Sequence, residues 1–174
     1  ILGSTLNDEG NAVAVDPWGN AVVVGRASSS GFPIMGGPLN GGTYGGGGDG
    51  FIARIAPGGG LLYSAYIGGT GYDEALDVAV DFVGDAYVVG STSSANFVTV
   101  AGSHDLTLGG PEDAFLTKVR MLPGRNYVYS TYLGGAGADQ MAGGFGNDVY
   151  VVDHAGDTVS EAALGGHDIV RSSV

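Results

Sequence analysis

The stretch Asp8-Glu-Gly-Asn-Ala-Val-Ala-Val-Asp-Pro-Trp-Gly-Asn-Ala-Val-Val-Val-Gly25 decides the fold class. Val13 and Val15 alternate with small residues, the period-two pattern of a strand with one buried face. Asp16-Pro17-Trp18-Gly19 has turn chemistry. Asp hydrogen-bonds the backbone ahead of it, Pro presets φ, and Gly accepts φ > 0. Val22-Val23-Val24 returns as a second strand and Gly25 ends it. The stretch predicts a β-hairpin.

The hairpin recurs. Residues 1–33 align with 66–98 without gaps, at a constant offset of 65. Identical pairs include Gly3/Gly68, Asp8/Asp73, Glu9/Glu74, Asp16/Asp81, Gly19/Gly84, Gly25/Gly90 and Phe32/Phe97. Val13-Ala-Val-Asp16 reappears whole as Val78-Ala-Val-Asp81. Such self-similarity outweighs any single motif.

Each hairpin is followed by a Ser/Gly-rich stretch, 28–48 and 91–110, expected to form a flexible surface loop. A phosphate-binding use of Gly45-Gly-Gly-Gly48 has no support, because no Gly-Lys-Ser/Thr follows and no helix start is apparent. Asp49-Gly-Phe-Ile-Ala-Arg-Ile55 pairs with Asp113-Ala-Phe-Leu-Thr-Lys-Val119 as a third strand. Arg54 and Lys118 are expected on a wet face of that strand. Pro57-Gly58 and Pro123-Gly124 mark turns. Tyr63-Ser-Ala-Tyr66 and Tyr129-Ser-Thr-Tyr132 read as fourth strands. Each unit thus holds about four strands in roughly 65 residues, the size of one propeller blade.

Composition bounds the function. The 174 residues suffice for an ordinary domain with a real core, and 44% are hydrophobic, which argues against general disorder. Thirty-five glycines without a Gly-X-Y period exclude collagen and suit short strands joined by tight turns. A formal net charge of −12 repels phosphate backbones, which argues against nucleic acid, and suits hydrated cations such as calcium. With no cysteine, disulfides and thiolate metal sites are excluded. No apolar run approaches the roughly 20 residues of a membrane helix, so no membrane insertion is expected. No signal peptide is present and the chain opens in apparent mid-strand, which reads as a processed protein or a fragment.

The spaced elements Tyr-Ser-x-Tyr-x-Gly-Gly, Asp-Glu, Val-Ala-Val-Asp-x-x-Gly-Asn/Asp, Val-Val-Gly-Ser-Thr-Ser-Ser and Asp-Ala-Phe resemble the bacterial β-propeller repeat family of secreted and surface proteins. The resemblance covers about residues 1–132. It implies four-stranded blades and carries no catalytic chemistry.

A second resemblance begins where the pattern breaks. Tyr132-Leu-Gly-Gly135 starts a third unit on schedule. Then Gly134-Gly-Ala-Gly-Ala-Asp-Gln-Met-Ala142 and Gly143-Gly-Phe-Gly-Asn-Asp-Val-Tyr-Val151 take the form Gly-Gly-x-Gly-x-Asp-x-x-x. They resemble the RTX, or haemolysin-type, calcium-binding nonapeptides, and the segment from Val151 to Val174 resembles the C-terminal continuation of such repeats. By this resemblance Asp139 and Asp148 are calcium ligands, and Gly135, Gly137, Gly144, Gly146 and Asn147 shape the loops and offer carbonyls. Two nonapeptides make about one coil of a parallel β-roll. Val152-Asp-His-Ala-Gly-Asp157 also shares the Asp-x-x-Gly-Asp turn of Val80 to Asp85. The expected architecture is all-β: blade-like antiparallel units at 1–65 and 66–132 and a short glycine-rich RTX-like unit at 133–174.

Asp8, Glu9, Asp73 and Glu74 form a weaker metal set, with loop capping as the simpler role. Asp16 and Asp81 read as turn-formers, and Asp49 and Asp113 as acceptors for loop amides. No catalytic constellation emerges. His104, His154 and His167 lack metal-ligand spacing, and the loop serines lack a nucleophile elbow. Trp18, at a turn tip, reads as packing on a neighbour rather than on a sugar. The expected function is a non-enzymatic extracellular or cell-surface structural protein. Its subunits join head to tail through open strand edges, as a filament or ring, with calcium as stabiliser. The alternatives are a calcium-dependent adhesin or lectin that binds cell-surface glycan, and a fragment of a larger secreted propeller protein.

Overall fold

The structure, a computed structural model, describes residues 2–36, 39, 43–121, 126–134, 140–142, 149–152, 155–156, 158–160 and 169–172. Strands β1 (Glu9–Val15), β2 (Ala21–Ala27), β3 (Asp49–Ile55) and β4 (Leu61–Ile67) form one antiparallel sheet in sequential order. Strands β5 (Asp73–Val80), β6 (Asp85–Thr92), β7 (Asp113–Arg120) and β8 (Asn126–Leu133) form a second, built identically. The expected four strands per unit are all present.

Both opening hairpins form as their sequences dictate. In the first turn the Asp16 carboxylate accepts the N–H groups of Trp18 and Asn20, each at 2.9 Å. Gly19 adopts φ +82°, which only glycine takes without strain. Asp81 repeats the arrangement with Val83 and Asp85, and Gly84 has φ +84°. Trp18 packs on its neighbour, its ring lying over Gly84 of the second turn.

Each opening strand carries a β-bulge, at Asn11 in β1 and at the equivalent Leu76 in β5. Gly25 and Gly90 sit opposite these bulges. A Cβ at Gly90 would overlap the Glu74 carbonyl and lie 2.8 Å from the Phe115 ring. Gly90→Ala is therefore expected to destabilise the protein by about 3 kcal/mol, the upper range for overpacking, read as a lowered urea midpoint.

Strand alternation gives each sheet two faces. One face of the first sheet carries Val22, Val24, Ile52, Tyr63, Ala65 and Ile67. It packs on the second sheet's Ala75, Val78, Val88, Phe115, Val119 and Tyr132 in one continuous core. Each fully buried Val, Ile or Phe among them contributes about 1.5–3 kcal/mol. The first sheet's other face gathers Ala27, Phe32, Phe51, Ala53 and Tyr66 into a smaller cluster. Phe32, Phe51 and Tyr66 are the repeat equivalents of Phe97, Phe115 and Tyr132, and both triads make the same tilted ring contacts.

The remaining strands are parallel. β9 (Gln140–Ala142) pairs with β11 (Thr158–Ser160), and β10 (Val149–Val152) with β12 (Ile169–Ser172). Gln140 sits opposite Thr158 and Val149 opposite Ile169, so partners lie 18 and 20 residues apart. The Asp-x-x-Gly-Asp string occurs at both 80–85 and 152–157, and the strands that flank it differ in their pairing. β5 and β6 pair across it, whereas β10 and β11 belong to different sheets. The strand-like segment near residue 170, expected to offer an open edge, pairs along one side with β10. Among the described residues no helix is long and apolar enough to cross a membrane.

Candidate functional site at the seam between the sheets

The glycine run is not a free surface loop. A Cβ at Gly45 would collide with the Gly69 carbonyl and one at Gly47 with the Gly71 carbonyl. The run lies backbone to backbone against residues 69–72, and the Asp73 N–H donates to the Gly48 carbonyl at 2.8 Å. Glycine is required because two main chains meet there with no room for side chains.

The serine-rich loop holds the other side of this seam. Ser94 Oγ accepts the Gly71 N–H at 2.7 Å, Ser93 Oγ accepts that of Tyr72 at 2.8 Å, and Asn96 accepts that of Thr70 at 2.9 Å. Asp73, wholly buried, is enclosed by neutral donors. Gly69 N–H and Ser94 Oγ donate to Oδ2, each at 2.8 Å, and Thr92 Oγ1 donates to Oδ1. Burial nevertheless pushes its carboxyl up.

Asp49 lies beside it, also wholly buried. Its Oδ2 accepts the Gly45 N–H at 2.9 Å, the loop-amide role expected from the sequence, and Asp113 does the same for Gly109 at 2.6 Å. Burial, reinforced by repulsion from Asp73, pushes the Asp49 carboxyl up to about 6. Ionising Asp49 in the folded state thus opposes folding, by on the order of 3 kcal/mol once pH exceeds 6. Asp8, Asp16 and Asp81 have lowered values, so their stabilising effect is lost only at more acid pH. In chelated buffer the melting temperature is expected to fall by several degrees as pH rises from about 4.5 to 7. Asp49→Asn is expected to raise it at pH 7 and flatten that slope. A steeper slope in the variant would contradict this.

The other predicted residues separate into distinct roles. Asp8 accepts the Ser4 and Ser28 N–H groups. Glu9 pairs with Arg26 at 3.1 Å. Glu74 accepts from Tyr72 Oη and from Asn11 Nδ2. Asn11 owes that reach to the bulge, and it also donates to the Ala75 carbonyl across the seam at 2.9 Å. Asp139, Asp148, Gly135, Gly137, Gly144, Gly146 and Asn147 lie outside the described residues, as do His154 and His167. Among the described residues no group of three or more His, Asp or Glu side chains is placed to hold a metal.

Sequence reasoning missed one pair. Arg54 is buried, not wet, and its Nε and Nη2 reach Asp16 Oδ2 at 2.6 and 2.5 Å. Burial alone would push the Asp16 carboxyl up, but hydrogen bonds from Asn20 and Arg54 more than offset it and hold it low. Trp18 covers the guanidinium at 5.3 Å. Lys118 makes the equivalent contacts with Asp81 at 3.0 Å and Asp85 at 3.4 Å. The available signal was a cation repeated in register with the turn aspartate of its own unit.

Residues 62–97 match the family model of the β-propeller repeat. The matched segment starts in β4 of the first sheet and runs through β5 and β6 to Phe97, so it crosses the seam. The repeat is thus of β-propeller type, and the two sheets are blade-like. No curated protein matches the chain.

Proposed function

We propose that the chain is a non-enzymatic structural module, secreted or held at the cell surface, whose copies stack head to tail. One observation carries this. Val13 and Val78 occupy the same place in the same Val-Ala-Val-Asp run, yet Val13 is 64% exposed and Val78 only 8%. Val78 is covered by the preceding sheet, and no described residue covers Val13 to that extent.

The opposite face has the converse pattern. Val24 and Ile67 are fully buried at the seam, while their equivalents Val89 and Leu133 are 39% and 41% exposed. A groove of about 480 Å³ opens there, lined by Val100, His104, Leu116, Tyr129 and Leu133. The molecule therefore presents both halves of an interface that it already makes internally. A second copy setting its first sheet on the second sheet of its neighbour would repeat that seam. Contacts of this kind extend into a filament or close into a ring. The mode is face stacking rather than pairing of strand edges.

Calcium enters this proposal through the glycine-rich unit at 133–174. The parallel pairing of β9 with β11 and β10 with β12 supports a coil in which Asp139 and Asp148 would hold the ion. The net charge of −12 also favours a cation-rich extracellular setting. If the chain belongs to a longer propeller protein, neighbouring repeats would cover the same two faces.

Light scattering over a concentration series, with and without calcium, tests the proposal. The expected result is a mass that grows in whole-chain steps and falls back for Val13→Glu. That change should alter monomer stability by less than about 0.5 kcal/mol, because the side chain is exposed. A monodisperse monomer at high concentration in both buffers would refute stacking. A lectin-like role is the second reading, favoured by Phe82, 89% exposed at the turn beside Trp18. A glycan array without calcium-dependent binding would remove it.

A further inference from the structure

We propose that Asp49 and Asp73 form a cation site between the two sheets, suited to one hard divalent ion of the calcium class. The site is separate from the C-terminal glycine repeats and does not depend on stacking between copies.

The two carboxyl groups come from different sheets, at the starts of β3 and β5, and converge over Gly68. A Cβ placed there would lie 2.7 Å from Asp73 Oδ2 and 3.1 Å from both Asp49 Cγ and Asp73 Cγ. Both side chains are fully buried. Asp73 is surrounded by neutral donors, and Asp49 Oδ2 accepts the Gly45 amide, with the Gly46 amide also close enough to favour the carboxylate. Asp49 Oδ1 is buried with no hydrogen-bond partner. Two adjacent buried carboxyl groups with an unused oxygen are neutralised either by a proton or by a bound cation, and a cation would offset the cost of ionising both.

Comparison with the first sheet indicates what is missing. Asp8 is the repeat equivalent of Asp73, and the Arg26 guanidinium helps hold its carboxyl low. The position equivalent to Arg26 in the second sheet is Ser91, which carries no charge. Among the described residues no Lys or Arg forms an ion pair with Asp49 or Asp73. The groups that meet at Gly68 are the two carboxyl groups and the backbone of the glycine loop. Calcium accepts such an all-oxygen set with irregular geometry, completing it with carbonyls and water.

The test uses the full chain carrying Asp139→Asn and Asp148→Asn, which removes the C-terminal candidate ligands. Calorimetric titration with calcium chloride is expected to give one bound ion per chain and a calcium-dependent rise in melting temperature. Adding Asp49→Asn should weaken binding at least tenfold and abolish that rise. Asn keeps the acceptor for the Gly45 amide, and circular dichroism establishes that the variant is folded. Asp49 is the residue to change, because Asp73 also holds the loop through three hydrogen bonds. A folded Asp139→Asn/Asp148→Asn protein that binds no calcium would overturn the proposal, and so would equal binding after Asp49→Asn. Light scattering on the same samples reports stacking separately, so the two proposals fail independently.

Discussion

Asp16→Ala is expected to lower the unfolding free energy by about 4 kcal/mol, measured by urea denaturation. The change leaves the buried Arg54 guanidinium without its carboxylate, and an unpaired buried charge is among the most costly single defects. It also removes the acceptor for the Trp18 and Asn20 amides, so the turn loses its own support. Asp81→Ala should cost clearly less. Lys118 is more exposed than Arg54 and keeps Asp85 at 3.4 Å as a second partner. Adding Arg54→Met to Asp16→Ala should recover part of the loss, because the orphaned charge goes with it. A double variant no more stable than Asp16→Ala would show that turn geometry, not the ion pair, dominates.

Phe115→Ala is the second large effect, at about 4 kcal/mol. Its ring is fully buried, lies 4.6 Å from that of Phe97, and closes over Gly90. Because it sits between the sheets, the resulting cavity should loosen their packing. Amide hydrogen exchange should rise in β2 and β5 together. Phe51→Ala removes the equivalent ring, 2% exposed, on the face that no other sheet of the described residues covers. It should cost a comparable amount yet leave β5 protected. Equal exchange patterns in the two variants would contradict a seam in which Phe115 is the shared element.

Much of this fold was legible in the sequence. Alternating valines, the Asp-x-x-Gly turns and the 65-residue offset are local signals, and they led to the correct strands and to four strands per unit. What escaped depends on partners far along the chain. Arg54 looked like a solvent-facing cation because its carboxylate lies 38 residues away. The glycine run looked like a loose loop because composition does not reveal a second main chain lying against it. The sequence reads Asp49 as an acceptor for loop amides and places Asp73 in a weaker metal set with Asp8, Glu9 and Glu74, but the meeting of Asp49 with Asp73 over Gly68 depends on how the sheets stack.

The glycine-aspartate formula that carries the RTX resemblance also occurs earlier in the chain. Gly68-Gly-Thr-Gly-Tyr-Asp73 fits the same Gly-Gly-x-Gly-x-Asp formula as Gly134 to Asp139. At 68–73 that string is a seam loop leading into an antiparallel blade strand, with its aspartate enclosed by Thr92, Ser94 and the Gly69 amide. At 68–73 the formula is thus met by a tight glycine loop ending in a buried carboxylate, so the formula alone does not single out a calcium-binding repeat.

Trp18 is the only tryptophan of the chain. Its ring bridges the two turns, resting on Gly84 of the second sheet while covering Arg54 of the first. The protein thus carries a built-in optical gauge of its seam. Any event that parts the sheets takes the indole off Gly84 while leaving it over Arg54, and its emission changes with that loss of contact. Intrinsic fluorescence can then track the separation of the two sheets in real time without a label, while far-ultraviolet dichroism reports on the strands themselves.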